Sequence, residues 1–107
     1  MAFEAMEVSL ELIRSIRGAV DVIRRRDPEL FLQIRRAASS ASLNLAEGRR
    51  RSGKDRRYHF RVAAGSADEV LAALRVAVAW GYLSESSIRR SLALGGRLQA
   101  MLWPLTR

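Results

Sequence analysis

The sequence predicts an all-α protein that folds as an antiparallel up-down four-helix bundle. Apolar residues recur every three or four positions along four segments, which is the spacing of one helix face. Only short breaks separate the four segments, and short connections favour antiparallel neighbours. No stretch alternates apolar and polar residues as a strand does. The 107 residues are therefore interpreted as one domain, 1–107.

The first helix is predicted over residues 3–25. It ends at three consecutive arginines, and cations are favoured at a helix C-terminus. The apolar stripe expected to face the core consists of Met6, Leu10, Ile13, Ile16, Val20 and Ile23. Apolar residues off the stripes of the first and third helices suggest a subunit interface. They are Phe3, Leu12, Val22, Val62, Val76 and Trp80.

The second helix is predicted over 28–48. Asp27 is placed as its N-cap and Pro28 at its first position, where proline is favoured. Gly48 is expected to stop the helix, because glycine readily takes the left-handed conformation of a C-terminal cap.

The third helix is predicted over 53–80 and the fourth over 85–103. Ser52 and Asp55 have the spacing of a capping box at the start of the third helix. Gly81 is expected to terminate that helix, and Ser84 to cap the start of the fourth. Pro104 is expected to end the fourth helix.

The composition narrows the possible chemistry. The chain has no cysteine, which excludes disulfides and cysteine-based metal sites, and His59 is its only histidine. No nucleophile–base pair or phosphate-binding glycine loop is present, so we expect no enzymatic activity and no cofactor. No apolar stretch of about 18 residues occurs, and the start lacks signal-peptide features. We therefore expect a cytoplasmic protein with no membrane partner.

The formal net charge of +8 is concentrated in one part of the chain. Residues 35–61 hold nine basic and two acidic residues, a net charge of +7. Arginines interleaved with aromatic residues suit phosphate contacts and base stacking in RNA or DNA. The pattern also fits a solvated helix face with cations at a helix end. The candidate nucleic-acid-binding residues are Arg49, Arg50, Arg51, Lys54, Arg56, Arg57 and Arg61.

A second group of polar residues lies beside the alanine-rich packing stripes. It is interpreted as a structural polar network of Arg36, Ser40, Asn44, Glu47, Ser66 and Glu69. Glu47 or Glu69 is expected to pair with Arg36, or to accept bonds from Asn44 or a loop backbone. A metal site is not expected, because neither glutamate has the histidine spacing of di-iron bundles. Gly65 suggests either a close helix crossing or a surface glycine.

Several of these residues also form a motif that resembles the 23S rRNA intervening-sequence proteins. The motif residues are Arg36, Ala37, Ala38, Ser40, Asn44, Glu47, Gly48, Ser52, Asp55, Ala63, Gly65, Ser66, Glu69, Gly81, Tyr82 and Leu83. The resemblance implies a four-helix bundle that assembles as a homopentamer. It suggests rRNA as a partner, although the molecular role of the family is not established. It also implies a relation in fold to the accessory protein of diversity-generating retroelements.

The sequence leaves two functions open. The first is a basic, ring-like homo-oligomer that associates with structured RNA through the segment between the second and third helices. The alternative is a protein-interaction scaffold, such as an accessory subunit of a reverse transcriptase. Trp80 and Trp103 are expected to be packing or interface anchors, since tryptophan near a helix end usually has that role. His59 is expected at the surface or an interface.

Overall fold

The computed structural model describes residues 3–107. Among these residues there are four α-helices and no strand. The elements are α1 Glu4–Arg26, α2 Pro28–Arg49, α3 Gly53–Ala79, α4 Glu85–Leu102 and a short 3₁₀ turn, Trp103–Leu105. The prediction of an all-α, four-helix protein is confirmed.

The four helices form an elongated bundle of about 43 × 23 × 21 Å. Each helix packs against the one before it, and α4 closes the bundle against α1, so that the helices stand roughly at the corners of a square. At one end, Phe3 contacts Phe60 and Arg61 bonds to Thr106. This end therefore joins the start of α1, the α2–α3 turn and the chain after α4, and we call it the basic end.

The predicted caps at three helix termini are confirmed. The Asp27 carboxylate accepts the Leu30 N–H at 3.1 Å, and the Ser84 hydroxyl accepts the Ser87 N–H at 3.3 Å. Gly81 has φ +81°, a left-handed conformation that terminates α3. These caps depend on residues close in sequence, which is why the sequence indicates them reliably.

The prediction that Gly48 stops the second helix is wrong. The helix continues to Arg49, and positive φ angles among the described residues occur only at Gly53 and Gly81. Gly48 is buried, and a Cβ placed on it would lie 2.7 Å from the Phe60 ring. Glycine is required here because the ring of Phe60 packs directly on the helix backbone.

Two further boundary predictions need correction. Ser52 makes no side-chain cap, and Asp55 accepts a 2.6 Å bond from Arg51 instead of completing a capping box. The fourth helix ends at Leu102, one residue before the predicted end, and Pro104 lies within the 3₁₀ turn that follows. Proline is tolerated at an early position of a helical turn, because the N–H of a residue there would have no hydrogen-bond partner within the turn.

The core-facing stripe of α1 is rotated from the predicted one. Met6, Leu10, Ile13 and Val20 are only partly buried, whereas Leu12 is completely enclosed. The residues of α1 that are buried are Ala5, Val8, Ser9, Leu12, Ile16 and Ile23. The hydropathy pattern misplaced the stripe because small and polar residues, alanine and serine, occupy the buried face.

Serine hydroxyls join three of the four helix interfaces. In each pair the two Oγ atoms are 2.8 Å apart, and one hydroxyl donates to the other. The pairs are Ser9–Ser42 between α1 and α2, Ser15–Ser91 between α1 and α4, and Ser40–Ser66 between α2 and α3. Buried hydroxyls need such partners, so the pairs favour one longitudinal register of the helices.

Within the described part of the chain, every helix is too short or too polar to cross a membrane.

Candidate nucleic-acid interface

The seven cations predicted to contact nucleic acid gather at the basic end. They lie together because α2 ends and α3 begins here. Six of them are exposed, and Arg57 is partly buried. Their positions are the last residue of α2, the turn and the first nine residues of α3. The structure thus brings the predicted residues together, but it gives them different surroundings.

Arg51 is held by two carboxylates. Its guanidinium lies 2.6 Å from the Asp55 carboxylate and 3.2 Å from that of Glu47. The hydrogen bond and charge of Asp55, followed by those of Glu47, raise the pKa of Arg51 above its usual value. Arg51 therefore braces the α2–α3 turn, and its charge is largely offset by these neighbours.

Two other arginines cover the end of the hydrophobic core. The Phe3 and Phe60 rings lie 6.1 Å apart at this end. Arg49 is stacked over Phe3 at 5.3 Å and Arg56 over Phe60 at 5.4 Å from the ring centres. A guanidinium that stacks through its face still directs N–H groups outward, so this position is compatible with phosphate contact.

Arg61 ties the chain after α4 to α3, since its Nε donates to the Thr106 carbonyl at 2.9 Å. The side chains of Arg50, Lys54 and Arg57 make no hydrogen bond or ion pair with any residue in the range 3–107. Their charge is therefore not offset by a direct carboxylate partner within that range.

One face of α3 combines cations with an aromatic ring. Lys54, Arg57, Tyr58 and Arg61 are spaced by three, one and three residues, which places them on adjacent positions of the helix surface. We call these four residues the α3 basic stripe. Tyr58 is 60% exposed and lies edge-on to the ring of His59. This arrangement offers phosphate contacts on both sides of a stacking surface.

Beneath this surface, α2 and α3 share a chain of polar side chains. The Asn44 amide N–H₂ donates to the Ser40 carbonyl at 2.9 Å and to its hydroxyl at 3.1 Å. The Asn44 amide oxygen lies 3.0 Å from Nδ1 of His59, and the Ser40 hydroxyl bonds to Ser66. An amide oxygen only accepts, so the His59 Nδ1 carries the proton. The polar group therefore connects His59 to Ser66 through α2.

The sequence predicted Ser40, Asn44 and Ser66 in this group but did not include His59. The sequence contained an indication of this contact. Asn44 is a polar residue beside the packing stripe, and its amide therefore needs a hydrogen-bond partner on a neighbouring helix. The expected pairing of a glutamate with Arg36 is wrong. Glu47 bonds to Arg51, while Arg36 and Glu69 are exposed and have no partner in the part of the chain that the structure describes.

Gly65 is exposed, and nothing lies within 4 Å of the position a Cβ would take. No helix among residues 3–107 crosses α3 there. The close approach occurs instead at Gly95 of α4, where a Cβ would clash with the Leu71 side chain of α3. Among the described residues, no three His, Asp or Glu side chains lie close enough to hold a metal ion.

The outer surface of the α2–α3 pair carries large apolar side chains. They are Leu32, Leu43, Tyr58, Val76 and Trp80. Helical spacing places them away from the core-facing residues of their own helices. Trp103, also exposed, lies at the basic end with Arg107 over its ring at 5.2 Å.

A family model described as 23S rRNA-intervening sequence protein matches residues 2–103. A comparison with curated proteins gave no match. The chain is similar in fold to a crystal structure of a protein of unknown function from the S23 ribosomal protein family of Bacteroides thetaiotaomicron VPI-5482. The two are 17% identical, the TM-score is 0.82, and the match covers 96% of this chain and 98% of the other.

Proposed function

The chain belongs to the 23S rRNA-intervening sequence protein family, and on that premise we propose that it is a non-enzymatic, oligomeric protein that binds structured RNA through its basic end. The proposal assigns phosphate contacts to the α3 basic stripe together with Arg49, Arg50 and Arg56. It also assigns the protein to the cytoplasm, where ribosomal RNA is found in bacteria.

The observation that carries the proposal is the exposed charge of the basic end. Arg50, Lys54 and Arg57 lack a direct carboxylate partner among residues 3–107, and Tyr58 lies exposed beside them. Contact of a cation with a phosphate releases counterions of the nucleic acid. Cations that are not paired within the protein gain the most from this contact, because they give up no existing ion pair. The absence of a groove-reading motif favours recognition of shape and charge rather than of sequence.

Self-association is part of the proposal. Four exposed apolar side chains on the outside of α2 and α3, other than Tyr58 of the α3 basic stripe, form a surface of the kind that subunits bury against one another. They are Leu32, Leu43, Val76 and Trp80. The family resemblance suggests five subunits. An assembly would present several basic ends to one RNA molecule, which increases affinity without any new kind of contact.

The same apolar surface supports a second candidate function, in which the protein is an accessory subunit of a reverse transcriptase. This alternative predicts a protein partner that stays bound when nucleic acid is removed. Capture of a purified reverse transcriptase from a diversity-generating retroelement, with and without nuclease, distinguishes the two. Capture that resists nuclease supports the accessory role, and capture that is lost supports an RNA-bridged contact.

Filter binding to an in vitro transcribed rRNA domain tests the main proposal. We expect measurable binding at about 50 mM salt and a steep linear fall of log affinity with log salt up to about 200 mM. Polyuridine of equal length serves as the unstructured control and should bind more weakly. Absence of binding at low salt, or affinity that does not change with salt, would refute RNA binding by the basic end.

A further inference from the structure

A groove runs between α3 and α4 near the end of the bundle that is opposite the basic end. Its volume is about 390 Å³. The apolar lining comes from Val78, Ala79, Ile88 and Leu92. The charged lining comes from Arg75, Glu85 and Arg89. The groove is thus an apolar slot with cations and one carboxylate around it.

Trp80 lies at the end of α3, on a different side of that helix from the groove. Its side chain is 69% exposed. Val76, four residues earlier and 43% exposed, occupies the same helix face. Tryptophan is enriched at protein–protein interfaces, where its large ring often carries much of the binding energy.

We infer that Trp80 of one copy of this chain docks into the α3–α4 groove of the next copy. The inference rests on the self-association in the proposed function and specifies how it is made. Each part of an indole has a suitable partner in the groove. The ring would contact the apolar lining, Arg75 and Arg89 supply guanidinium groups for stacking, and Glu85 supplies an acceptor for the indole N–H.

The position of the two parts favours a second copy over an unrelated protein. Arg75, Val78 and Ala79 of the groove precede Trp80 by one to five residues, which is about 1.5 to 7.5 Å along the helix. The protruding ring and the groove therefore lie at nearly the same level of the bundle. Rotation about an axis parallel to the bundle does not shift a subunit along that axis. Two neighbours related in this way can therefore dock only if the ring and the groove lie at the same height along the bundle.

The contact joins two different surfaces, one over α2 and α3 and one over α3 and α4. Such a heterologous contact closes into a ring when the rotation between neighbours divides a full turn. Adjacent faces of a square bundle meet near a right angle, so successive subunits turn sharply instead of extending in a line. This geometry favours a small closed ring.

Crosslinking between two single-cysteine variants tests the docking directly, because the chain has no cysteine of its own. Val76→Cys and Arg89→Cys proteins, which both keep Trp80, are incubated with a short bismaleimide, first separately and then as a mixture. We expect covalent dimers mainly in the mixture, because Val76 lies one turn from Trp80 on the same helix face and Arg89 lines the groove. Dimers formed by Val76→Cys alone would indicate a symmetric contact and overturn the inference, as would a mixture without dimers.

Light scattering of purified variants provides the second readout. Trp80→Ala is expected to raise the apparent dissociation constant of the assembly about 30-fold or more, as loss of a central aromatic anchor does. Trp103→Ala is the matched control, since Trp103 is also an exposed tryptophan but lies at the basic end, away from Trp80 and the groove. The docking requires that this variant keep the wild-type mass, in contrast to the sequence-based expectation of an anchor at Trp103. Circular dichroism checks that both variants keep their helix content.

The outcomes separate this inference from the proposal on which it rests. A monomeric wild-type protein refutes self-association and the docking together. A wild-type oligomer whose mass is unchanged in Trp80→Ala refutes the docking alone. RNA binding by a monomer leaves the role of the basic end in place.

Discussion

The hydroxyl of Ser42 donates a 2.8 Å hydrogen bond to the hydroxyl of Ser9 across the buried interface of α1 and α2. The direction follows from the single proton on each hydroxyl, since Ser9 already donates to the Met6 carbonyl at 2.7 Å. Both serines are buried among apolar side chains. Among residues 3–107, Ser9 is therefore the only acceptor for the Ser42 proton.

This direction of the hydrogen bond predicts that removing the two hydroxyls will have unequal effects on stability. Ser9→Ala leaves a buried donor on Ser42 without its partner, and we expect a loss of about 1–2 kcal/mol in the free energy of unfolding. Ser42→Ala leaves Ser9 bonded to the Met6 carbonyl, so no buried donor loses its partner. We expect a loss of only about 0.5 kcal/mol in the free energy of unfolding, since the higher helix propensity of alanine offsets part of the lost hydrogen bond. Urea unfolding at one fixed protein concentration measures both. An equal or larger loss in Ser42→Ala contradicts the assigned direction.

Two glycines in helices provide a second pair of predictions. Gly48→Ala places a methyl group 2.7 Å from the buried Phe60 ring and is expected to destabilise the fold by about 1–3 kcal/mol. Gly65→Ala meets open space and should stabilise it by about 0.5–1 kcal/mol through helix propensity. Thermal unfolding of both variants checks the prediction. Stabilisation by Gly48→Ala would show that the helix does not pack on Phe60 as described.

These two positions show why part of the fold could be predicted and part could not. The caps at Asp27, Gly81 and Ser84 depend on neighbours within a few residues, and the sequence indicates them. Gly48 depends on a ring twelve residues away that packs back on the helix, and the same local pattern suits a helix stop. The rotated stripe of α1 depends on Ser9 finding its partner on another helix.

In the candidate site too, the sequence predicts the features that depend on local composition and misses those that depend on side-chain contacts. Charge counting located the basic end, because a net charge of +7 lies in residues 35–61. It could not distinguish Arg51, which two carboxylates hold, from Lys54, which has no partner in residues 3–107. That distinction depends on side-chain geometry at the α2–α3 turn. The contact of Arg61 with Thr106 likewise joins residues 45 positions apart.

The contact between Tyr82 and Asp27 predicts an effect of alkaline pH on stability. The tyrosine hydroxyl donates to the Asp27 carboxylate at 3.2 Å. Partial burial, followed by this hydrogen bond and the carboxylate charge, raises the pKa of Tyr82 above its usual value. A raised pKa means that the fold favours the neutral tyrosine. Its contribution is complete below about pH 10 and is lost as the pH rises through the pKa of the folded state.

Tyr82→Phe should therefore lose less stability than the wild type between pH 9 and 12, because it has no phenol to ionise next to Asp27. Urea unfolding at a series of pH values provides the measurement. Tyr58→Phe is the matched control, since it removes an exposed phenol that is not bonded to a carboxylate in the described residues. It should keep the steeper alkaline loss of the wild type. The prediction fails if the two variants give parallel curves.

Removing cations from the α3 basic stripe should weaken RNA binding in a way that salt reveals. The double variant Lys54→Ala, Arg57→Ala is expected to lower the slope of log affinity against log salt by about one per lost phosphate contact. Arg24→Ala, Arg25→Ala is the control, since it removes the same charge from exposed arginines at the opposite end that pair with Asp21. A slope that falls equally in both variants would mean that overall charge, rather than the basic end, attracts the RNA.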